Sequence, residues 1–484
     1  MVLDSFQDDL TKNRKDIVEI ILGFLPFFSL GFSTAGLAYL SGWNIGVQVT
    51  LGLLFGFLLV TFGESVQAFS ASRNPGWMDI LVGISGATAG AICFPVLRVP
   101  IFKRVSRWSQ GSQGWFSIPL LWAGFIAYSF LVLAVTVMLQ QSTNLGNWDR
   151  DYFLLVGNEY TGDRLWSGRI TQLCMTDWAV SDTQIAEGLA TVDCQVAPER
   201  SPITNYRFEG SNDYVDQTGN LSDLRWNRQP VPPIPSEGVQ TVKRYWLRSA
   251  EPASFLAEQL GQTGEFTLSF RIATDSLEQG GPARIVSISQ TAFDRNLTIG
   301  QSETDLAIRL RTPLTGDNGK RPEFVVPEVF TDKQLHHFVL TYTGSELRVY
   351  RDSPDQRFSV PFVPETGLVW FLSGFLQHAI SLESFNPLPY KVLYRLLALL
   401  PLGFCLGMIA AQSSEGSFLL LVGFSMVLAV LLESLLANGS MMSIAPGYVI
   451  LSSVILVSGM LWVRHAATAW FENGVTHEAL EYKG

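Results

Sequence analysis

The chain has 484 residues, 47% of them hydrophobic and only 16% charged, with a formal net charge of −10. That length allows more than one domain, and the acidic balance argues against a nucleic-acid partner, which needs a basic face to neutralise phosphates. Most acids and bases lie between Asn144 and about Glu365, so the averages hide a hydrophilic centre between two apolar ends.

Crossing a hydrocarbon core of about 30 Å takes about 20 apolar residues in a helix. Four such runs come first: Ile17–Leu40, Ile45–Phe69, Ile80–Val99 and Trp115–Leu139. The first is too long for the apolar region of a signal peptide and no small-residue cleavage site follows it, so it is expected to remain as an anchor. On the second run Glu64 and Gln67 are three apart and share a helix face. Arg73 follows in a turn containing Asn-Pro-Gly, and Asp79 opens the next helix, where a carboxylate suits the helix dipole. Gly83, Gly86 and Gly90 then allow close helix packing. Ionisable groups in a membrane helix are costly and by default suggest function. Two readings stand: a polar lock in which Glu64 and Gln67 pair with Arg73 and Asp79, or a pocket for a lipid headgroup, a lipid-linked glycan or a proton.

The order Glu-x2-Gln-x5-Arg-x5-Asp followed by glycines, with Asp16…Leu25-Pro26-Phe27-Phe28…Gly31 upstream, resembles the VanZ-like membrane family over residues 16–95. The resemblance implies a bacterial cell-envelope setting and supplies no reaction. Cys93 lies in the third apolar run, where a small soft side chain packs. The following loop carries Arg98, Lys103, Arg104 and Arg107, and the positive-inside rule places it in the cytoplasm. The fourth helix then delivers residues 144–365 to the outside, although Lys12, Arg14, Lys15, Lys391 and Arg395 pull the other way.

In the centre, short runs with period-2 patterning predict strands at Phe266–Ala273, Ala283–Gln290, Asn296–Gly300, Asp305–Arg311, His337–Tyr342 and Glu346–Arg351. Such spacing suggests an all-β sandwich. Tyr206-Arg-Phe208-Glu-Gly210 with Asp216…Gly219-Asn220, then Phe266–Arg271, Leu335-His336-His337-Phe338 and Leu347-Arg-Val-Tyr350-Arg-Asp352, resemble strands of a laminin-G/concanavalin-A-like jelly roll. The family's last strands resemble Gly157-Asn158, Trp166-Ser-Gly168-Arg-Ile170 and Val180-Ser181…Ile185, which precede its first strand here. The resemblance therefore implies a circularly permuted jelly roll, joined anew at Pro198–Pro202, with termini near Trp148 and Phe358.

Many related jelly rolls bind glycans or proteins. Trp226 and Trp246 could stack on sugar faces, with core packing as the alternative for each. Pro230–Pro235 reads as an extended loop that could line one rim. Glu303-Thr-Asp305-Leu-Ala-Ile308 lacks the final acid of the family's glycosidase strand, and glycoside hydrolysis needs paired carboxylates. His336 and His337 are expected to be structural. A Ca2+ site would draw on Asp216, Asp223 and Asp317, without EF-hand spacing. Cys174 and Cys194 could pair in an oxidising space, or remain two buried thiols.

After the centre, Gly367–Leu382 is short and carries Gln377 and His378, so it is expected as an interfacial or re-entrant segment. Three further spans follow: Val392–Ala411, with Cys405 inside it, Phe418–Ala437 and Tyr448–Val463. Phe385-Asn-Pro-Leu-Pro-Tyr390 and Arg395…Pro401-Leu-Gly403-Phe404 resemble the VanZ-like first helix again. Glu433 then stands in the place of Glu64, while Leu436 replaces Gln67 and no Arg or Asp counterpart follows.

The expected architecture is a multi-domain membrane protein. An α-helical transmembrane bundle of about seven helices, in two VanZ-like blocks (1–143 and 366–484), flanks an all-β jelly roll (144–365). The favoured function is a bacterial cell-envelope protein, in contact with membrane lipid, that presents an extracytoplasmic glycan- or protein-binding domain. The alternatives are an enzyme or transporter acting on a lipid-linked envelope precursor through Glu64, Gln67, Arg73 and Asp79, and a structural subunit of a membrane complex. No Ser/His/Asp order, P-loop or metal-ligand spacing points to soluble catalysis.

Overall fold

A computed structural model describes residues 117–190, 200–208, 214–229, 238–372 without 243, 379–440 without 384, and 444–481, together with parts of 27–57 and residues 82–95. Two short apolar helices, α1 (Ile45–Leu54) and α2 (Val82–Pro95), belong to the second and third expected spans. Four helical stretches are long and apolar enough to cross a membrane: α3 (Ile118–Gln141), α7 (Leu388–Ala411), and the apolar parts Glu415–Ala437 of α8 (Glu415–Ser440) and Pro446–His465 of α9 (Pro446–Glu481). They coincide with the fourth to seventh expected spans. Pro119 sits in the first turn of α3, where its missing N–H costs nothing.

Between α3 and α7 the chain builds two stacked β-sheets. The first has eight strands in the order β15-β11-β10-β9-β8-β1-β6-β4, and the second has β14-β13-β12-β7-β2-β3, with β5 also on β2. In sequence these are β1 (Phe153–Val156), β2 (Gly168–Thr176), β3 (Thr204–Arg207), β4 (Leu224–Trp226), β5 (Val239–Thr241), β6 (Leu247–Ser249), β7 (Phe266–Thr274) and β8 (Ala283–Ser289). The rest are β9 (Arg295–Ser302), β10 (Asp305–Leu310), β11 (Glu323–Val326), β12 (His336–Tyr342), β13 (Glu346–Arg351), β14 (Ser353–Pro361) and β15 (Ala379–Ser381). Pairing is antiparallel except between β11 and β15. Inward residues such as Leu297, Ile299, Leu306, Ile308, Phe270 and Phe338 form one core between the sheets. Two short helices, α4 (Asp182–Ala190) and α5 (Ser254–Thr263), complete the domain.

Both described ends of the segment Gly367–Leu382, expected as an interfacial element, place residues in the sandwich core. Its first part falls in helix α6 (Pro364–Leu372), whose Trp370 is 1% exposed and rings with Phe324 at 5.6 Å and Phe362 at 5.2 Å. Its last part is β15, and Leu382 lies in the sandwich core. A large aromatic ring gains more from a preformed apolar core than from the wet membrane interface, which draws the segment inward.

The sandwich is seated on the membrane helices by one end. Leu314 N–H donates to the Ser142 carbonyl just past α3 at 2.9 Å, and the Tyr342 hydroxyl donates to the Thr143 carbonyl. Leu314 touches both the sandwich core and the core of the helix bundle. Leu368 of α6 packs into the bundle, and Gln140 of α3 donates to the Leu435 carbonyl of α8 at 3.0 Å. Close helix contact rests on glycine in both halves. A Cβ at Gly90 would strike the backbone of Phe28, and one at Gly407 of α7 would lie 2.7 Å from the Met460 carbonyl of α9.

Candidate functional site

Glu433 is the described member of the intramembrane candidates, and it is engaged rather than free. Arg395 Nε donates to Glu433 Oε1 at 2.8 Å and its Nη2 to Oε2 at 2.7 Å, a two-pronged pair whose geometry suits guanidinium and carboxylate. The same Arg395 reaches Glu365 Oε1, at the start of α6, at 3.2 Å. Ser452 of α9 donates its hydroxyl to Glu433 Oε1 at 2.6 Å, and the Tyr448 ring lies 4.4 Å from the guanidinium. Arg395, Glu433 and Glu365 are each 5% exposed or less. One arginine thus ties three membrane helices and the junction helix together. Both carboxylate oxygens of Glu433 accept hydrogen bonds, which fits a lock between helices.

Sequence reading placed Glu433 but missed Arg395 and Ser452 as its partners, and Glu365 as the second acid on Arg395. The signal was present as one lone cation and one lone anion in neighbouring apolar helices, which an apolar medium forces to meet. Glu64, Gln67, Arg73 and Asp79 lie outside the described residues.

A second charged cluster lies in the sandwich. Glu159, on the loop after β1, pairs with Arg284 of β8 at 3.0 Å and with Arg295 of β9 at 3.7 Å, while Arg309 of β10 pairs with Glu323 of β11. Burial together with the neighbouring Arg309 lowers the Arg284 pKa to about 10. The loop 157–165 is pinned over this ladder by Asn158, whose Oδ1 accepts the Glu159 and Arg164 N–H groups. At its tip Tyr160 is exposed and tilts on Phe153 at 5.6 Å, with the Arg248 guanidinium 5.0 Å from the Phe153 ring and 5.8 Å from that of Tyr160. These side chains form an open cation–aromatic platform. It lies on the face opposite the core, because Leu154 and Val156 point inward and Phe153 and Leu155 outward.

The other candidates separate. Trp226 is half-buried, edge-on to Tyr214 and to Tyr245, each at 6.4 Å, and packs against the core. Trp246 is half-buried beside Gly162, close to the loop that carries Tyr160. Asp216 is 2% exposed, and its carboxylate accepts the N–H groups of Asn205, Thr218, Asn220 and Leu221. It holds a turn, whereas Asp317 is paired with Arg311 at 3.2 Å. Among the described residues no group of His, Cys, Asp and Glu is placed to hold a metal. Cys174 is disulfide-bonded, Cys93 and Cys405 are free, and Cys194 lies outside the described residues, as does Pro230–Pro235.

His336 sits between Asp352 at 2.6 Å and Asp332 at 2.9 Å. His337 lies deeper, bonded to the Ser269 hydroxyl at 2.8 Å. Burial and the Arg271 charge push its pKa from 6.5 to about 4, against a weaker opposing pull from Asp352. The folded state therefore keeps this imidazole neutral, while an unfolded chain takes up a proton near its ordinary pKa. Stability contributed by the neutral ring is present above pH 6.5 and falls as the pH drops toward about 4, by up to about 1.4 kcal/mol per pH unit. Thermal melts of the protein followed by near-ultraviolet dichroism should show that slope between pH 6.5 and 4, and His337→Gln should flatten it.

Comparison of the chain with protein-family models, with curated proteins and with solved structures finds no match.

Proposed function

We propose that this chain is an integral protein of a bacterial cell envelope that presents a glycan- or protein-binding jelly roll outside the cytoplasm. The body would be VanZ-like in two diverged copies, and the jelly roll a permuted laminin-G/concanavalin-A-like domain. The observation that carries the reading is the one-ended seating of the sandwich. The end near Ser142, Leu314 and Tyr342 is fixed to the helices, so the opposite end, with loop 157–165, is offered at a set height. There the Tyr160–Phe153–Arg248 platform and the neighbouring Trp246 give flat apolar faces beside a cation, the combination that recognises sugars or acidic peptide segments. The Gly90 and Gly407 contacts support the internal repeat, since in each block the first helix meets the third through glycine.

Orientation and ligand are tested separately. A single cysteine at the exposed Asp355 should react with an impermeant thiol reagent on intact cells. Reaction only after permeabilisation would sink the reading. The purified protein in lipid nanodiscs should retain envelope polysaccharide or peptidoglycan fragments, and the pair Tyr160→Ala and Arg248→Ala should weaken retention at least about tenfold, the loss of about 1.4 kcal/mol.

A further inference from the structure

The membrane-facing end of the sandwich carries an exposed aromatic that neither the core nor the bundle uses. Phe293, at the tip of the β8–β9 hairpin, is 73% exposed. The tip is ordered. Thr291 Oγ1 accepts the N–H groups of Phe293 at 3.0 Å and Asp294 at 2.9 Å, and donates to the Asp294 carboxylate at 2.7 Å. Hydrogen bonding of this kind presents the ring instead of letting the loop collapse over it.

Its location follows from the pairing. Strand β1 begins at Phe153, eleven residues after Ser142, the cap residue that ends membrane helix α3, and Phe153 pairs with Ser289 at the end of β8. Chain leaving Ser289 therefore moves toward the membrane. On its return, Asn296 exchanges hydrogen bonds with Asp149 at 2.7 and 2.9 Å, and Arg295 N–H bonds to the Asp317 carbonyl, in the loop whose Leu314 touches Ser142. The tip projects beyond these contacts by three residues, roughly 10 Å of chain. Phe255 is exposed at the same end, where the Ser254 hydroxyl bonds to the Arg150 carbonyl.

We propose that Phe293 enters the headgroup layer of the bilayer and acts as a third point of membrane contact for the sandwich, beside its two covalent tethers. The occupant is lipid because the four helices long and apolar enough to cross a membrane lie on this side of the domain. The contact is apolar in origin. Asp149, Asp294 and Asp317 at this end carry charge that anionic lipid would repel. Aromatic rings favour this layer because one face can be dry while the rim stays wet.

The test uses the full-length protein in phosphatidylcholine nanodiscs, with Cys93 and Cys405 replaced by serine and the disulfide left intact. A nitroxide at Ala292→Cys, beside the tip, is compared with one at Asp355→Cys. The ratio of collisions with oxygen to those with a water-soluble nickel chelate should be several-fold higher at 292. Adding Phe293→Asp should bring it down to the value at 355, with the protein still folded by dichroism. Equal ratios in the parent protein would overturn the proposal, as the tip would then be in water. Shielding of 292 from both reagents would also overturn it, by showing a protein contact. A ratio unmoved by Phe293→Asp would show that the ring does not hold the tip at the lipid.

Discussion

Replacing Arg395 with alanine is expected to destabilise the C-terminal helix bundle by roughly 3–5 kcal/mol, the cost of leaving buried carboxylates without their partner. Two acids are orphaned at once, Glu433 and Glu365, each at most 5% exposed. The loss should be seen as a lower midpoint in thermal unfolding in detergent and as reduced membrane abundance. The discriminating comparison is the triple replacement Arg395→Met, Glu433→Leu and Glu365→Leu, which removes all three charges and restores apolar packing. If the cluster is a lock, the triple variant should regain most of the stability lost by Arg395→Ala, because a buried ionic cluster exchanged as a whole is close to neutral. A triple variant that is stable but inactive in ligand retention would give the cluster a role beyond holding helices. Glu365→Gln alone should leave the bundle intact and loosen only its grip on α6, since the two-pronged pair with Glu433 remains.

Trp370→Ala should cost about 3–5 kcal/mol, within the range for removing a fully buried large aromatic. The effect goes beyond a cavity. Trp370 anchors α6 in the sandwich between Phe324 and Phe362, while Leu368 on the same helix packs against the membrane bundle. Emptying the tryptophan site therefore weakens both the core and the seating of the domain. Proteolysis of the membrane-embedded protein should become faster at the junction around residues 364–382, with the β-sheet signal in far-ultraviolet dichroism largely retained. Trp370→Phe should recover most of the loss, because the two aromatic neighbours still find a ring. Equal proteolysis of the alanine variant and the parent would show that α6 is not what couples the two parts.

Much of the sandwich is legible in the sequence. The six expected strands fall within two residues of β7, β8, β9, β10, β12 and β13, because each is long enough to show alternation and is bounded by turn residues. Strands β4, β5, β6 and β15 have three residues each, too few for a period to register. The described ends of Gly367–Leu382 enter the sandwich core, an outcome apolar content alone does not distinguish from a membrane interface. The candidate site was less legible. Trp226 and Trp246 were singled out by residue type, whereas the exposed platform is Tyr160, Phe153 and Arg248, which meet through a loop folding back across strand β1.

By itself the sequence determined that two apolar blocks hold a hydrophilic β domain between them, and that isolated charges such as Glu433 sit where charge is costly. Both are local properties, set by how many consecutive residues water rejects and by how side chains alternate. Which groups answer those charges was decided only by the tertiary structure. Arg395 and Glu433 stand 38 positions apart, and Glu365 belongs to a different element again. Nothing in the residues between them encodes the pairing; it follows from packing α6, α7, α8 and α9 around one point from which water is excluded.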